Sequence, residues 1–343
     1  MYDGHDYKNM TVQNIWVNFE AKFDPLDKAK ETWHVMKALF NSTIYTLIED
    51  NVLYAEFRTG FGDFVDKNGT VIPYEDALNF YAERIAEVRK EHPSFFGLNL
   101  ILNKYRVGLT DAKLLQKLNL ASKYYNTSKL VRGFDLVGYE EIGRTLASLK
   151  DVFLKWRSDS GSDMPFVFHA GETLWSGFPV DENVIDAVLL GTKRIGHGYA
   201  LDVHPSVIWR LRRFGVGVEL NPISNQVLGL VDDIRNHRNK QLMDIAYFNR
   251  PPLQFSVNSD DCLIFGTKAI TDDLYVTILA MTDKESDLSV IKQVSYDSIA
   301  TSLLDQSEKS ELKKLFESEW NRVVKEMLND TGSDYSDTET ETV

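Results

Sequence analysis

Two histidines, a glutamate and a pair of aspartates stand where short apolar segments of this 343-residue chain end. His169 and Glu172 follow one apolar segment, His197 lies between two glycines after the next, and Asp260 and Asp261 follow a later one. Histidine nitrogens and carboxylate oxygens are ligands that zinc accepts, and His and Glu also carry protons in catalysis. These residue types at these places predict a metal-assisted acid–base site.

Each motif also has a simpler interpretation. The first His and Glu could belong to an ordinary surface loop, His197 to a turn, and the two aspartates to solvent, with one of them capping a helix. The Asn and Ser residues of segment 221–225 are expected to cap the following helix and to shape the site. The His, Glu and Asp motifs nevertheless fall at the same end of successive predicted strands, whereas incidental loop residues would scatter over both ends. The combined pattern favours one functional site.

Short apolar segments alternate with longer amphipathic stretches along the chain. Segments that are apolar on both faces are typical of strands in a buried parallel sheet. Their alternation with helical stretches predicts parallel βαβ units, one strand short of an eight-stranded α/β barrel whose catalytic residues would follow the strand ends. The seven predicted strands are Val52–Phe57, Phe96–Leu102, Val131–Val137, Pro165–Phe168, Arg194–Ile195, Gly215–Leu220 and Gln254–Val257.

The composition argues against several classes of protein. A net charge of −13, from 38 basic and 51 acidic residues, argues against a nucleic-acid partner. No apolar run reaches the length of a membrane-spanning helix, and the single cysteine, Cys262, excludes an intrachain disulfide. We expect one barrel domain over residues 1–328 and a disordered acidic tail over 329–343, which carries five acidic residues and no basic one.

Glycosylation sequons are more frequent than chance predicts. Five Asn-x-Ser/Thr sequons occur, where about two or three are expected at this composition, and the excess indicates a secreted glycoprotein. The polar segment Met1–Met10 contains no apolar signal-peptide core, so we do not expect this sequence to encode its own export. The sequons begin at Asn9, Asn41, Asn68, Asn126 and Asn329.

Three motifs in this order resemble those of the adenosine deaminase family in the amidohydrolase superfamily. They are His-Ala-Gly-Glu at 169–172, Ile-Gly-His-Gly at 195–198 and Asn-Ser-Asp-Asp at 258–261. The segments Thr192–Leu201, Asn221–Leu228 and Asp233–His237 are similar to the secreted, growth-factor-like branch of that family. The resemblance extends from about residue 16 to 328 and implies a (β/α)8 TIM-type barrel. It also implies an enzyme that hydrolyses adenosine or 2′-deoxyadenosine to the inosine nucleoside and ammonia.

The resemblance also implies roles for the motif residues. His169 and Asp260 would be ligands of a catalytic zinc ion, and His197 would orient the zinc-bound water and help to deprotonate it. Glu172 would protonate the purine ring at N1, and Asp261 would bind the ring at N7. Such a Glu needs a raised pKa, which a closed and partly apolar barrel mouth would provide.

Three further residues match positions that contact the nucleoside. Gly138 matches the family glycine whose backbone N–H meets N3 of the purine. Trp175 and Glu182 lie where this branch of the family places further contacts to the nucleoside. The implied partner is therefore a small molecule, adenosine.

One family feature has no match in this sequence. The first barrel strand of the family carries a His-x-His pair that supplies two more zinc ligands, and no His-x-His occurs here. We therefore expect a barrel that lacks its first strand, a zinc ion with two protein ligands, and little or no activity of this chain alone. The region that the family uses to form homodimers is also expected to be absent.

Two other functions remain open at this point. A non-catalytic extracellular growth-factor-like or decoy protein would fit the missing zinc pair, whereas the retained Glu, His and Asp motifs argue against it. Deamination of a different purine or of a pyrimidine would also fit an amidohydrolase barrel. An incomplete gene model or splice form of an active enzyme explains the missing pair better than a degenerate copy, because the other motifs are intact.

Overall fold

The computed structural model describes residues 10–25, 29, 31–60, 64–248, 251–283 and 287–334. Nine strands occur in this part of the chain, and seven of them lie in parallel pairings. In chain order the strands are β1 Tyr54–Thr59, β2 Phe64–Val65, β3 Val71–Ile72, β4 Gly97–Tyr105, β5 Val131–Val137, β6 His169–Ala170, β7 Arg194–His197, β8 Gly217–Leu220 and β9 Phe255–Val257.

The parallel strands follow one another in space as they do in sequence. One sheet has the order β1-β4-β5 and another the order β6-β7-β8-β9. A parallel bridge between Phe134 and Phe166 joins them, and the backbone N–H of Val167 donates to the carbonyl oxygen of Phe134 at 3.0 Å. Within the described residues the pairings end at β1 and at β9. The seven predicted strands are thus confirmed in number and order, with bounds that differ by a few residues.

Helices separate the strands and cover the sheet. Most strands are followed by a helix that returns the chain for the next parallel strand, as βαβ connections require. The α-helices are Val12–Ala21, Trp33–Glu49, Tyr74–Glu91, Asp111–Thr127, Leu146–Ser160, Asn183–Leu189, Pro205–Phe214, Pro222–Val227, Asn239–Phe248, Cys262–Phe265, Thr271–Val276, Leu288–Thr301 and Gln306–Asp334. Short 3₁₀ segments lie at Tyr199–Val203 and Ile234–Asn236, and a π segment lies at Thr277–Met281. No helix among the described residues is long and apolar enough to cross a membrane.

Local sequence sets several helix ends. The hydroxyl of Thr110 accepts from the backbone N–H of Lys113 at 3.3 Å, and that of Thr145 does the same for Ser148. Such caps satisfy donors that a helix start leaves without partners. The helix Leu146–Ser160 ends at Gly161, whose φ of 61° is one that glycine adopts without steric cost. The strand-to-helix turns around the site are therefore encoded locally.

The last helix runs further than predicted. The helix Gln306–Asp334 includes the first six residues, 329–334, of the segment that we expected to be disordered. Extending an existing helix costs little once its first turns have formed, so a short polar segment can continue it. The rest of the predicted tail, residues 335–343, lies outside the described part of the chain.

A network of buried charges crosses the interior of the sheet. The guanidinium of Arg58 lies 2.7 Å from Asp135 and 2.8 Å from Glu219. Arg194 lies 2.7 Å from Glu219 and 2.5 Å from Glu56. These contacts tie β1, β5, β7 and β8 together. Because each charge has an opposite partner, burial in a low-dielectric interior is compensated.

Candidate active site

His169 is the first residue of the two-residue strand β6, and one of its ring nitrogens is held by the neighbouring strand β5. Its Nδ1 lies 2.6 Å from Oδ2 of Asp135, and its backbone N–H donates to Oδ1 of the same carboxylate at 2.9 Å. Burial alone would raise the pKa of Asp135, but the charges of His169 and Arg58 outweigh it, and the pKa is lowered. The ionised carboxylate keeps the proton on Nδ1, which leaves Nε2 of His169 to face the site.

The pKa of His169 itself is raised. Burial would lower it, but the charge and the hydrogen bond of Asp135 have the larger combined effect. A metal ion that binds Nε2 would therefore displace a proton from this nitrogen. The Asp135–His169 pair has the form of the carboxylate–histidine pairs that orient metal ligands in other proteins.

The backbone is strained at two of the predicted site residues. His197, at the end of β7, has a φ of 60°, and Asp260, after β9, has a φ of 50°. In the described part of the chain one other residue that is not glycine, Asn51, has a positive φ. Such conformations cost of order 1–3 kcal/mol and cluster at functional sites. Both strained residues lie where a strand ends.

Three side chains converge in one space. Ligand atoms of His169, His197 and Asp260 all lie within 4.8 Å of one another, a separation at which they could hold a metal ion. Nε2 of His197 is 3.8 Å from Oδ2 of Asp260, is buried, and has no hydrogen-bond partner. The hydroxyl of Ser224 donates to the same Oδ2 at 2.7 Å. The donor set, two imidazoles and a carboxylate, fits a divalent cation such as zinc.

Glu172 is a buried carboxyl group beside this cluster. Its side chain is 3% exposed, and Oε1 lies 3.4 Å from Nδ1 of His197 with no hydrogen-bond partner of its own. Burial, followed by the charges of Asp260 and Glu140, raises its pKa well above the ordinary value of 4.5. The raised pKa favours the protonated form of this group, which is suited to donate a proton.

His197 has the opposite shift. Burial lowers its pKa to about 3, and the charge of Asp260, which acts in the other direction, does not compensate for it. The imidazole is therefore neutral at pH 7. Nδ1 of the ring lies 3.0 Å from the side-chain amide nitrogen of Asn225. The site thus combines a neutral histidine, a glutamate with a raised pKa and a cluster whose ligand atoms could hold a metal ion.

A family model described as Adenosine deaminase matches residues 5–318. The chain belongs to the adenosine deaminase family. Its motifs and its parallel α/β barrel agree with that membership, so the family resemblance and the barrel class expected from the sequence are both confirmed.

Curated relatives in this deaminase family are about one third identical to the chain over the aligned residues. Adenosine deaminase 2 from Sus scrofa is 34% identical over 316 residues, which cover 91% of this chain and 60% of that protein. Adenosine deaminase 2 from Homo sapiens is 32% identical over 321 residues, covering 93% of this chain and 60% of that protein. An adenosine deaminase from Aedes albopictus is 33% identical, covering 90% of this chain and 56% of that protein. The chain thus spans about 60% of the length of the first two relatives.

Solved structures show the same fold at lower identity. The N6-methyl-AMP deaminase from Arabidopsis thaliana superimposes with a TM-score of 0.66 at 18% identity, covering 90% of this chain and 86% of that one. An amidohydrolase from Burkholderia ambifaria with bound zinc gives a TM-score of 0.63 at 20% identity, covering 87% of this chain and 74% of that one.

The other residues predicted for the deaminase site lie at separate positions in the structure. Asp261 begins the helix Cys262–Phe265, and its charge is among those that raise the pKa of Glu172. Gly138 follows β5 with a φ of 94°, and a Cβ there would collide with the ring of Tyr105. Trp175 and Glu182 are exposed, on the loop after β6 and before the helix Asn183–Leu189. The charge of Asp261 thus acts on the buried cluster, Gly138 lies at the end of β5, and Trp175 and Glu182 lie at the surface.

The capping role expected for segment 221–225 is wrong. Asn221 is at the N-cap position, directly before the helix Pro222–Val227, but its side chain makes no capping hydrogen bond. Ser224 instead binds Asp260, and Asn225 lies between two histidines. Both side chains are buried beside the strand ends. They therefore form hydrogen bonds with polar groups of the site, and the helix start has no side-chain cap.

Sequence reasoning missed two acidic residues that shape the site. Asp135 lies within the predicted strand Val131–Val137, but the sequence did not predict its hydrogen bond to His169. Glu140 accepts the backbone N–H of Glu172 at 3.1 Å and that of Gly171 at 3.2 Å, so it holds the loop that carries the acid. An acidic residue within an otherwise apolar strand is the signal that could have identified Asp135, because such residues are rarely buried unless they are paired.

Proposed function

We propose that this site serves the hydrolytic deamination of adenosine or 2′-deoxyadenosine to the inosine nucleoside and ammonia, with low activity in this chain because two protein ligands are expected to hold its zinc weakly. The observation that carries the proposal is the buried Glu172, with its raised pKa, beside the cluster of His169, His197 and Asp260. An acid in this position suits the protonation of a ring nitrogen while a nucleophile attacks the adjacent carbon. Curated relatives named adenosine deaminase support the same substrate class.

Two residues of the cluster would hold zinc. We assign His169 and Asp260 as the ligands, with Asp135 orienting the imidazole through Nδ1. When bound, zinc supplies Lewis-acid chemistry that makes hydroxide available near neutral pH. The solved amidohydrolase with bound zinc has this fold, which supports the choice of metal.

The remaining residues would bind and activate the purine. Attack at C6 moves electron density from the ring onto N1, and the Glu172 carboxyl donates its proton there. Asp261 would bind N7, the backbone N–H of Gly138 would bind N3, and His197 would orient the attacking water. Of the two protons of the attacking water, one would return to the Glu172 carboxylate and the other would pass to the amino group, so that the C6–N bond breaks and ammonia leaves. A water-excluding site makes each of these hydrogen bonds stronger than it would be in solvent.

An assay of the purified chain tests the proposal. Adenosine is incubated with the chain in excess zinc, and inosine and ammonia are quantified, while calorimetry measures the binding of inosine in parallel. Turnover or specific nucleoside binding that depends on Glu172 supports the proposal. If neither occurs with zinc loaded, the non-catalytic interpretation replaces it.

Zinc affinity is expected to be modest. Structural four-ligand zinc sites contribute about 10–16 kcal/mol, so each protein ligand contributes roughly 3 kcal/mol and two ligands about 6 kcal/mol. This energy corresponds to a Kd of about 10–100 µM. Competition with a chromophoric chelator measures the Kd, and His169→Ala is expected to abolish binding, whereas the exposed His34→Ala is the matched control. One tightly held equivalent of zinc in the 343-residue chain would contradict the two-ligand assignment.

Secretion is the location that we propose. Three of the sequon asparagines, Asn68, Asn126 and Asn329, are exposed, whereas Asn41 lies within the helix Trp33–Glu49 and accepts from Arg84 at 2.6 Å. We expect a chain that is expressed through the secretory pathway to carry glycans at the three exposed sites. Glycopeptide mass spectrometry checks this, and a chain with no occupied sequon would remove the structural support for secretion.

A further inference from the structure

A chain of hydrogen bonds leads from a buried histidine to His197. Nε2 of His237 lies 2.9 Å from Oδ1 of Asn225, and Nδ2 of Asn225 lies 3.0 Å from Nδ1 of His197. All three side chains are at most 2% exposed. Two imidazoles are thus connected through one primary amide in a space without solvent.

A backbone donor sets the direction of this chain. The backbone N–H of Asn239 donates to Nδ1 of His237 at 3.2 Å. A backbone nitrogen can only donate, so Nδ1 of His237 must accept and carries no proton. Burial lowers the pKa of His237 to about 4, and the neutral ring then carries its one proton on Nε2. This proton is donated to Asn225, which must present its oxygen to His237 and its NH₂ group to His197.

The same logic determines the state of His197. Because the amide of Asn225 donates to Nδ1 of His197, that nitrogen accepts and carries no proton, so the ring carries its proton on Nε2. The second neighbour of Nδ1 is Oε1 of Glu172 at 3.4 Å, which makes no hydrogen bond. The amide of Asn225 is therefore the hydrogen-bond partner that sets the state of Nδ1.

We propose that Asn225 and His237 are positioning residues that hold His197 in the tautomer protonated on Nε2. In this tautomer His197 donates a hydrogen bond into the site and binds no metal through Nε2. The inference rests on the proposed function for its purpose, since the acceptor would be the oxygen of the attacking water. It replaces the proton-accepting part of the role that the family resemblance implies for His197, and it leaves His169 and Asp260 as the zinc ligands.

The tautomer can be observed without turnover or metal. The zinc-free chain is labelled with ¹⁵N-histidine, and long-range ¹H–¹⁵N correlation distinguishes protonated from unprotonated ring nitrogens. The signal of His197 is assigned by its loss in His197→Gln. We expect the wild-type chain to show His197 protonated on Nε2 and unprotonated on Nδ1. His204, whose Nε2 lies 2.8 Å from Asp181, is the internal control and is expected to be protonated on Nε2 in every variant.

Two variants separate the positioning role from a structural one. Asn225→Asp replaces the amide by a carboxylate that only accepts, so the proton of His197 is expected to move to Nδ1. His237→Gln keeps a side-chain amide donor for Asn225, so the wild-type tautomer is expected to persist. Wild-type His197 protonated on Nδ1, or the same tautomer in wild type and folded Asn225→Asp, would overturn the proposal. The wild-type spectrum decides the matter even if a variant does not fold, and an absence of deamination would leave this spectrum unchanged.

Discussion

Replacing Glu172 by glutamine is expected to lower kcat for adenosine deamination by about 10²- to 10⁴-fold, the usual contribution of a positioned general acid. Glutamine has nearly the same shape, but it has no acidic proton to give to N1 of the purine. KM should change less than kcat, because proton donation is used in the transition state and not in ground-state binding. The rates are measured at a zinc concentration that saturates the site.

The pH dependence gives this prediction a second readout. The pKa of Glu172 is raised by burial and by the charges of Asp260 and Glu140, so the active, protonated form is lost as the pH rises through that pKa. Wild-type activity should therefore decline on the alkaline side, and the residual activity of Glu172→Gln should not show this decline. Glu83→Gln, on the exposed face of the helix Tyr74–Glu91, is the matched control and should retain wild-type kcat. Wild-type kcat in Glu172→Gln would assign the proton donor to another group.

Stability distinguishes lost chemistry from misfolding in this variant. The folded-state pKa of Glu172 is raised above 4.5, so its contribution to stability is complete below the pKa of the unfolded chain. That contribution is lost as the pH rises through the folded-state pKa. Glutamine cannot ionise, and the variant avoids this loss. We expect Glu172→Gln to be at least as resistant to urea as the wild type at alkaline pH.

Replacing Glu219 by glutamine is expected to lower the free energy of unfolding by about 3–5 kcal/mol, because it breaks a buried ion pair on one side only. Glu219 accepts from Arg58 at 2.8 Å and from Arg194 at 2.7 Å, and its side chain is 4% exposed. Without the charge of Glu219, the repulsion between the guanidinium groups of Arg58 on β1 and Arg194 on β7 is less compensated. Urea unfolding, followed by circular dichroism at pH 7, measures the change.

The acid side of the pH profile tests the electrostatic origin of this effect. Burial would raise the pKa of Glu219, but the charges of Arg58 and Arg194 outweigh it and lower the pKa from 4.5 to about 2. The stability that Glu219 contributes is thus present above pH 4.5 and is lost as the pH falls towards 2. The difference between wild type and Glu219→Gln should shrink over that range. Asp159→Asn removes an exposed pair with Lys155 and is expected to change stability little at any pH. A loss in Glu219→Gln that does not depend on pH would indicate a packing defect.

Much of the fold could be predicted because its signals are local. A short run that is apolar on both faces predicts a buried parallel strand wherever it occurs, and all seven such runs overlap or adjoin a strand. Helix bounds were less predictable. The helix after β5 begins at Leu146, where the hydroxyl of Thr145 provides the cap. Where a helix begins depends on which cap or turn forms its hydrogen bonds. A pattern of residue types does not contain those contacts.

By itself, the sequence determined the strand order, the family and the motif residues at the strand ends, since each is carried by a few neighbouring positions. Only the tertiary structure decided which polar groups meet. Asp135 reaches His169 across 34 positions, Asn225 reaches His197 across 28, and His237 joins the chain through Asn225. The structure also placed Trp175 and Glu182 at the surface. The physical reason is that a hydrogen bond needs a donor and an acceptor about 3 Å apart in the right direction. Strand pairing and backbone strain set that distance, and residue type does not.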